Sequence, residues 1–77
     1  MNREYWNNQS SEAIRAEIEK LENRIKRYTD DLPIAMSYTP EQRRENDLVE
    51  PDYITDSLVW FKEDLGELRK LLETRAA

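Results

Sequence analysis

Two stretches of this chain repeat apolar residues at spacings of four, three, four, three and four. The first carries Ile14, Ile18, Leu21, Ile25, Tyr28 and Leu32, and the second carries Ile54, Leu58, Phe61, Leu65, Leu68 and Leu72. A mean period of about 3.5 residues belongs to an α-helix whose apolar seam faces one partner helix, whereas a strand alternates at period two. Two seams of equal length invite pairing with each other. The predicted fold is all-α: an antiparallel, coiled-coil-like two-helix hairpin with a short third helix in the connection.

Local chemistry sets the boundaries. Residues 1–9 are polar and asparagine-rich apart from Tyr5 and Trp6, and read as an N-terminal arm whose aromatics need a docking site. Ser10 or Ser11 can cap a helix and Glu12 favours the positive end of its dipole, so the first long helix is expected over 11–32. Pro33 lacks an N–H and disfavours αR geometry at Leu32, which ends it. Within the connection, 33–50, the run Thr39-Pro40-Glu41-Gln42 combines a capping threonine, proline at the first helical position and glutamine at the third. It predicts a short helix over about 40–47. Pro51 then opens the last helix, 51–75, with Asp52 and Asp56 near its start. Gly66 reads as a tolerated interior glycine costing about 1 kcal/mol relative to alanine, with a close helix contact as one use for it.

Charge selects the orientation. With Ile14 opposite Leu72 and Leu32 opposite Ile54, Glu22 is expected to face Lys62 and Arg24 to face Asp64, whereas parallel pairing would set like against like. Exposed pairs contribute only about 0–1 kcal/mol each, so they choose a register more than they stabilise it.

With 77 residues, the chain is one domain with a small core. It contains no cysteine and no histidine, which removes disulfides, thiolate metal sites, nucleophilic triads and the usual neutral-pH base. One glycine allows no phosphate-binding loop. No catalytic residue, metal ligand or cofactor is assigned, and a non-enzymatic protein is expected. A net charge of −5 suits poorly the non-specific binding of phosphate backbones. No apolar run reaches the ~20 residues of a membrane span, and the start lacks the apolar region of a signal peptide. The expected location is the cytoplasm.

The segment Ile14-Arg15-Ala16-Glu17-Ile18 faintly resembles the first helix of small helical chorismate mutases, which are intertwined dimers. That resemblance would imply cationic side chains aimed inward at a dicarboxylate. Here those candidates fall on charged outer positions, and the reading is set aside.

On the last helix Tyr53, Trp60 and Leu71 recur at seven and eleven residues, which returns each to within about 20° of one direction. With Val59 taken as a neighbour, they form a second apolar stripe. Tyr5, Trp6, Ile34, Met36 or Tyr38 can cover it within the chain. Alternatively it is a partner surface, for a second copy forming a four-helix bundle or for a different protein. The candidate partner-binding residues are Trp6, Tyr38, Arg43, Arg44, Tyr53, Trp60 and Leu71, because aromatics and arginines supply the strongest contacts at protein interfaces.

A second reading rests on an acidic surface of Asp30, Asp31, Glu41, Glu45, Asp47, Glu50, Asp52 and Asp56. In size and charge the chain resembles the small acidic helical proteins that phages use against host defences, anti-CRISPR inhibitors among them. That resemblance implies inhibition of a nucleic-acid-processing complex in the host cytoplasm. A third reading, an RNA- or DNA-binding hairpin, rests on Arg24, Lys26 and Arg27 with Arg43 and Arg44. It ranks last, because acidic partners and the helix C-terminal dipole already account for those cations.

Overall fold

The computed structural model describes residues 1–76. They form helices α1 (Arg3–Asn7), α2 (Ser11–Met36), α3 (Pro40–Glu45) and α4 (Pro51–Ala76), with no strand among the described residues. The two long helices pack against each other as the backbone of a rod measuring 50 × 19 × 15 Å.

The paired seams build the core. Ile14 and Leu21 of α2 are buried with Leu65 and Leu68 of α4, while Ile18, Ile25, Phe61 and Leu72 pack against them half-buried. Burying one such side chain contributes about 1.5–3 kcal/mol relative to leaving it exposed. Phe61 identifies the antiparallel register. Tyr28 meets its ring edge-on at 5.2 Å and the Arg24 guanidinium lies 5.9 Å from its centroid, so residues one turn apart bracket the Ile25 level expected opposite Phe61.

The flanking charges choose other partners. Glu22 pairs with Arg69 at 3.8 Å instead of Lys62, and Asp64 faces the Met1 amine at 3.7 Å instead of Arg24. Glu22 and Arg69 are long, exposed side chains on a solvated edge, where one rotamer change exchanges one partner for another. Arg24 gains an aromatic face in place of a carboxylate.

Capping works largely as the residue types dictate. The Ser10 hydroxyl accepts from the Ala13 N–H at 3.1 Å to start α2. For α3, the Thr39 hydroxyl accepts from the Gln42 N–H while the Gln42 side chain accepts from the Thr39 N–H, a reciprocal capping box. That helix ends at Glu45, two residues short of the expected limit, and Asp47 follows in the left-handed region at φ 54°.

Three further boundaries differ from expectation. The arm is partly helical: the Asn2 side chain accepts from the Tyr5 N–H at 3.1 Å and starts the single turn of α1. The last helix extends to Ala76, one residue past its expected end. And α2 continues through Pro33 to Met36, because the proline falls in the last turn and the carbonyls beyond it find donors. The Ser37 N–H reaches Pro33 O and Ile34 O, the Ser37 hydroxyl donates to Ile34 O at 2.6 Å, and Arg43 reaches Ala35 O. Burial of Ala35 adds an apolar reason for the extra turn.

Gly66 marks no close contact. A methyl group built there meets no atom within 4 Å.

Candidate functional site: an aromatic face on the last helix

The structure splits the second stripe of α4 into a covered half and an open half. On a helix advancing about 100° per residue, Asp64, Glu67 and Leu71 point within roughly 40° of Trp60 and lie toward the C-terminus. Helix α1 lies along this part. The Arg3 guanidinium donates to the Glu67 carboxylate at 2.7 Å, the Met1 amine approaches Asp64, and Trp6 and Leu71 both pack half-buried on the core. At the far end Arg75 donates to Asn7 O at 2.9 Å and to the Ser11 hydroxyl at 3.3 Å, which closes α1 and the start of α2 onto the end of α4. The bond from Arg3 holds the Glu67 carboxyl below its ordinary range and raises the Arg3 guanidinium in turn.

Toward the N-terminus of α4 the stripe is bare. Trp60 is 63% exposed and Tyr53 is 56% exposed, although Ser57 and Ile54 beside them are buried. The aromatics therefore stand on a segment anchored by its other face. Val59 does not join them: successive helix residues diverge by about 100°, and Val59 opens onto a different side, half exposed.

At the connection end of the rod, Arg43 is an internal brace. Its side chain is 11% exposed, its Nη1 donates to Ala35 O at 2.9 Å and to Tyr38 O, and its Nε donates to Glu50 at 3.1 Å. One guanidinium thus ties the end of α2 to α3 and to the approach of α4, which leaves it poorly placed for an outside partner. Arg44 is exposed, as is Tyr38 at its margin. Between the end of α2 and the segment 47–49 lies a half-open cleft of about 270 Å³, lined by Tyr28, Ile34, Ala35, Leu48, Val49 and Ile54 with Asp31 and Asp47. Asp30, Asp31, Glu41, Glu45, Asp47, Glu50, Asp52 and Asp56 are all exposed, and Glu50 is ion-paired with Arg43.

Of the residues assigned to partner binding, Tyr53 and Trp60 therefore share an open face, whereas Trp6, on α1, and Leu71 each pack half-buried against the core. Arg43 is engaged within the chain, and Tyr38 and Arg44 lie on the connection. The brace was the feature least visible in advance, because two of its three acceptors are backbone carbonyls with no side-chain signature. The helical turn in the arm had a signal in Asn2, a capping residue three positions before Tyr5.

Among the described residues, no three carboxylates are grouped to hold a metal ion, and no helix is long and apolar enough to cross a membrane. No protein family matches the chain, and no curated protein or solved structure is similar to it.

Proposed function

We propose that this chain is a non-enzymatic interaction module that binds protein through the Tyr53–Trp60 face of α4. The observation that carries this reading is the exposure of two large aromatics in line on a rigid, internally anchored helix. Scattered apolar side chains are normal on a protein surface. Two aligned aromatics on a preformed helix lose little conformational freedom on binding and supply large contact areas, the usual chemistry of an interface anchor. A cytoplasmic location and the lack of direct nucleic-acid binding belong to the same proposal.

Affinity capture from the native source tests it, using the intact chain, Trp60→Ala, and an Asp47→Lys/Asp52→Lys variant. Loss of captured protein with Trp60→Ala alone is the expected result. Identical capture by all three would refute the aromatic face.

The second reading, an inhibitor acting on a nucleic-acid-processing complex through the acidic connection end, is favoured by the exposure of all eight carboxylates there. It expects the opposite pattern, with the lysine variant losing the partner and Trp60→Ala keeping it.

A further inference from the structure

We propose that the cleft at the connection end takes the side chain of an arginine or lysine carried on a segment of a partner protein. Its stem lies against the apolar walls and its charged head between Asp31 and Asp47. The site is separate from the Tyr53–Trp60 face and does not depend on it.

The walls are apolar and already fixed. Tyr28, Ile34, Ala35, Leu48, Val49 and Ile54 line a space of about 270 Å³ with two carboxylates and no cation, and Ala35 and Ile54 are its buried members. On one side Tyr28 is held edge-on against Phe61 at 5.2 Å. On the other, the Leu48 N–H donates to Arg43 O at 2.8 Å, while the Arg43 side chain reaches back to Ala35 O. Walls fixed by contacts within the chain need little ordering when a ligand enters.

Charge identifies the occupant. Asp31 comes from α2 and Asp47 from the segment after α3, so each wall contributes one carboxylate. Among the described residues neither forms an ion pair, and Arg43 is committed to Glu50 and two backbone carbonyls. Between Tyr28 and Ile54, the limits of the lining residues along the chain, stand seven carboxylates and two arginines, whereas the rest of the chain holds ten acids and ten bases. The whole net charge of −5 therefore lies in the stretch that builds the cleft, a field that draws a cation and repels an anion. Arginine and lysine fit such a place, because they lay an apolar stem along apolar surface and keep the charged head at its polar edge. The Tyr28 ring adds an aromatic partner for that head.

Size and shape favour a side chain over a free small molecule. Small-molecule sites run to about 300–1,000 Å³ and enclose most of their ligand. This one is smaller and half open. Ile34 and Val49, each about half exposed, extend its apolar lining onto the rim, where residues flanking the cation in a partner chain would rest. A free amine would leave both bare.

Titrating isotope-labelled protein with acetyl-Leu-Arg-Leu-amide, followed by amide chemical shifts, tests the proposal. The expected Kd is below about 1 mM, with shifts centred on Asp31, Ala35, Leu48 and Val49. Citrulline in place of the arginine keeps the shape without the charge, and is expected to weaken binding at least about 10-fold. An Asp31→Asn/Asp47→Asn variant should weaken the arginine peptide as much. Asparagine tolerates the left-handed backbone at position 47, and an unchanged amide spectrum away from the cleft checks that the variant folds. Agmatine, an alkylguanidinium without the flanking leucines, should bind at least about 5-fold more weakly than the peptide. No binding by ~5 mM, equal binding of the citrulline peptide, or shifts centred on Tyr53 and Trp60 overturns the proposal. Agmatine binding as tightly as the peptide would assign a small-molecule site and overturn the protein partner. Millimolar binding does not hold a protein through washing, so this titration and the Trp60→Ala capture fail independently.

Discussion

Replacing Arg43 with alanine removes the one side chain that ties the end of α2 to α3 and α4. The magnitude follows from its three acceptors. The bond to Glu50 is an ion pair whose carboxylate is 55% exposed, so water replaces most of it and about 0–1 kcal/mol is lost. Tyr38 O is near solvent and rehydrates, at a cost of roughly 0.5 kcal/mol. Ala35 O belongs to a residue only 5% exposed, and losing a charged donor there costs about 1.5 kcal/mol. The sum is about 2–3 kcal/mol, or roughly 10–15 °C in Tm for a domain of this size. Urea denaturation followed by helical circular dichroism reads the loss directly. Lysine at the same position satisfies one carbonyl and should recover less than half of the deficit, because a point charge cannot reproduce the fork. A change below ~0.5 kcal/mol on Arg43→Ala would show that the connection is ordered by its capping box and proline alone, and would refute the brace.

Other substitutions test the remaining parts. Gly66→Ala should stabilise the protein by about 0.5–1 kcal/mol, since the methyl meets open space and the glycine gives up its helix penalty; destabilisation in the same urea assay would mean an unseen contact. Leu68→Ala, at a position 1% exposed, should cost about 2–5 kcal/mol, and a loss under 1 kcal/mol would place the core elsewhere. Acid should loosen α1. The Glu67 carboxyl titrates lower in the folded chain than unfolded, so its contribution is fully present above its unfolded pKa and is lost as pH falls through the lower folded one. Trp6 fluorescence in a Trp60→Phe background should report this step, and Arg3→Ala should abolish it; a step indifferent to Arg3 would point to another group.

The seam was legible because it is written in apolar residues at a fixed period, and Ile14, Leu21, Ile54, Leu65 and Leu68 are buried where that period puts them. The termination at Pro33 was misread for an equally physical reason. Proline's penalty is local, and the compensating donors come from Ser37 and from Arg43, the latter eight residues beyond its Ala35 acceptor. Charge pairing predicted the orientation but not the pairs, since Glu22 and Asp64 each had several cations within reach. The stripe at Tyr53, Trp60 and Leu71 was visible as a spacing, yet its division was not. Which half α1 covers depends on Arg3 meeting Glu67 and Arg75 meeting Asn7, contacts more than sixty residues apart along the chain.

Helix α1 is attached by one half-buried tryptophan and by hydrogen bonds at the surface, whereas the seam beneath it is held by the core. Segments secured so unequally open at different free energies, so native-state hydrogen exchange should release the amides of α1 well before those of α2 and α4. The open face along α4 accordingly has two lengths. It is about 20 Å with α1 seated and approaches the ~39 Å of the whole helix once α1 lifts. A ligand that needs the longer face competes with the protein's own first turn, and its apparent affinity scales with the fraction of molecules in which that turn is released.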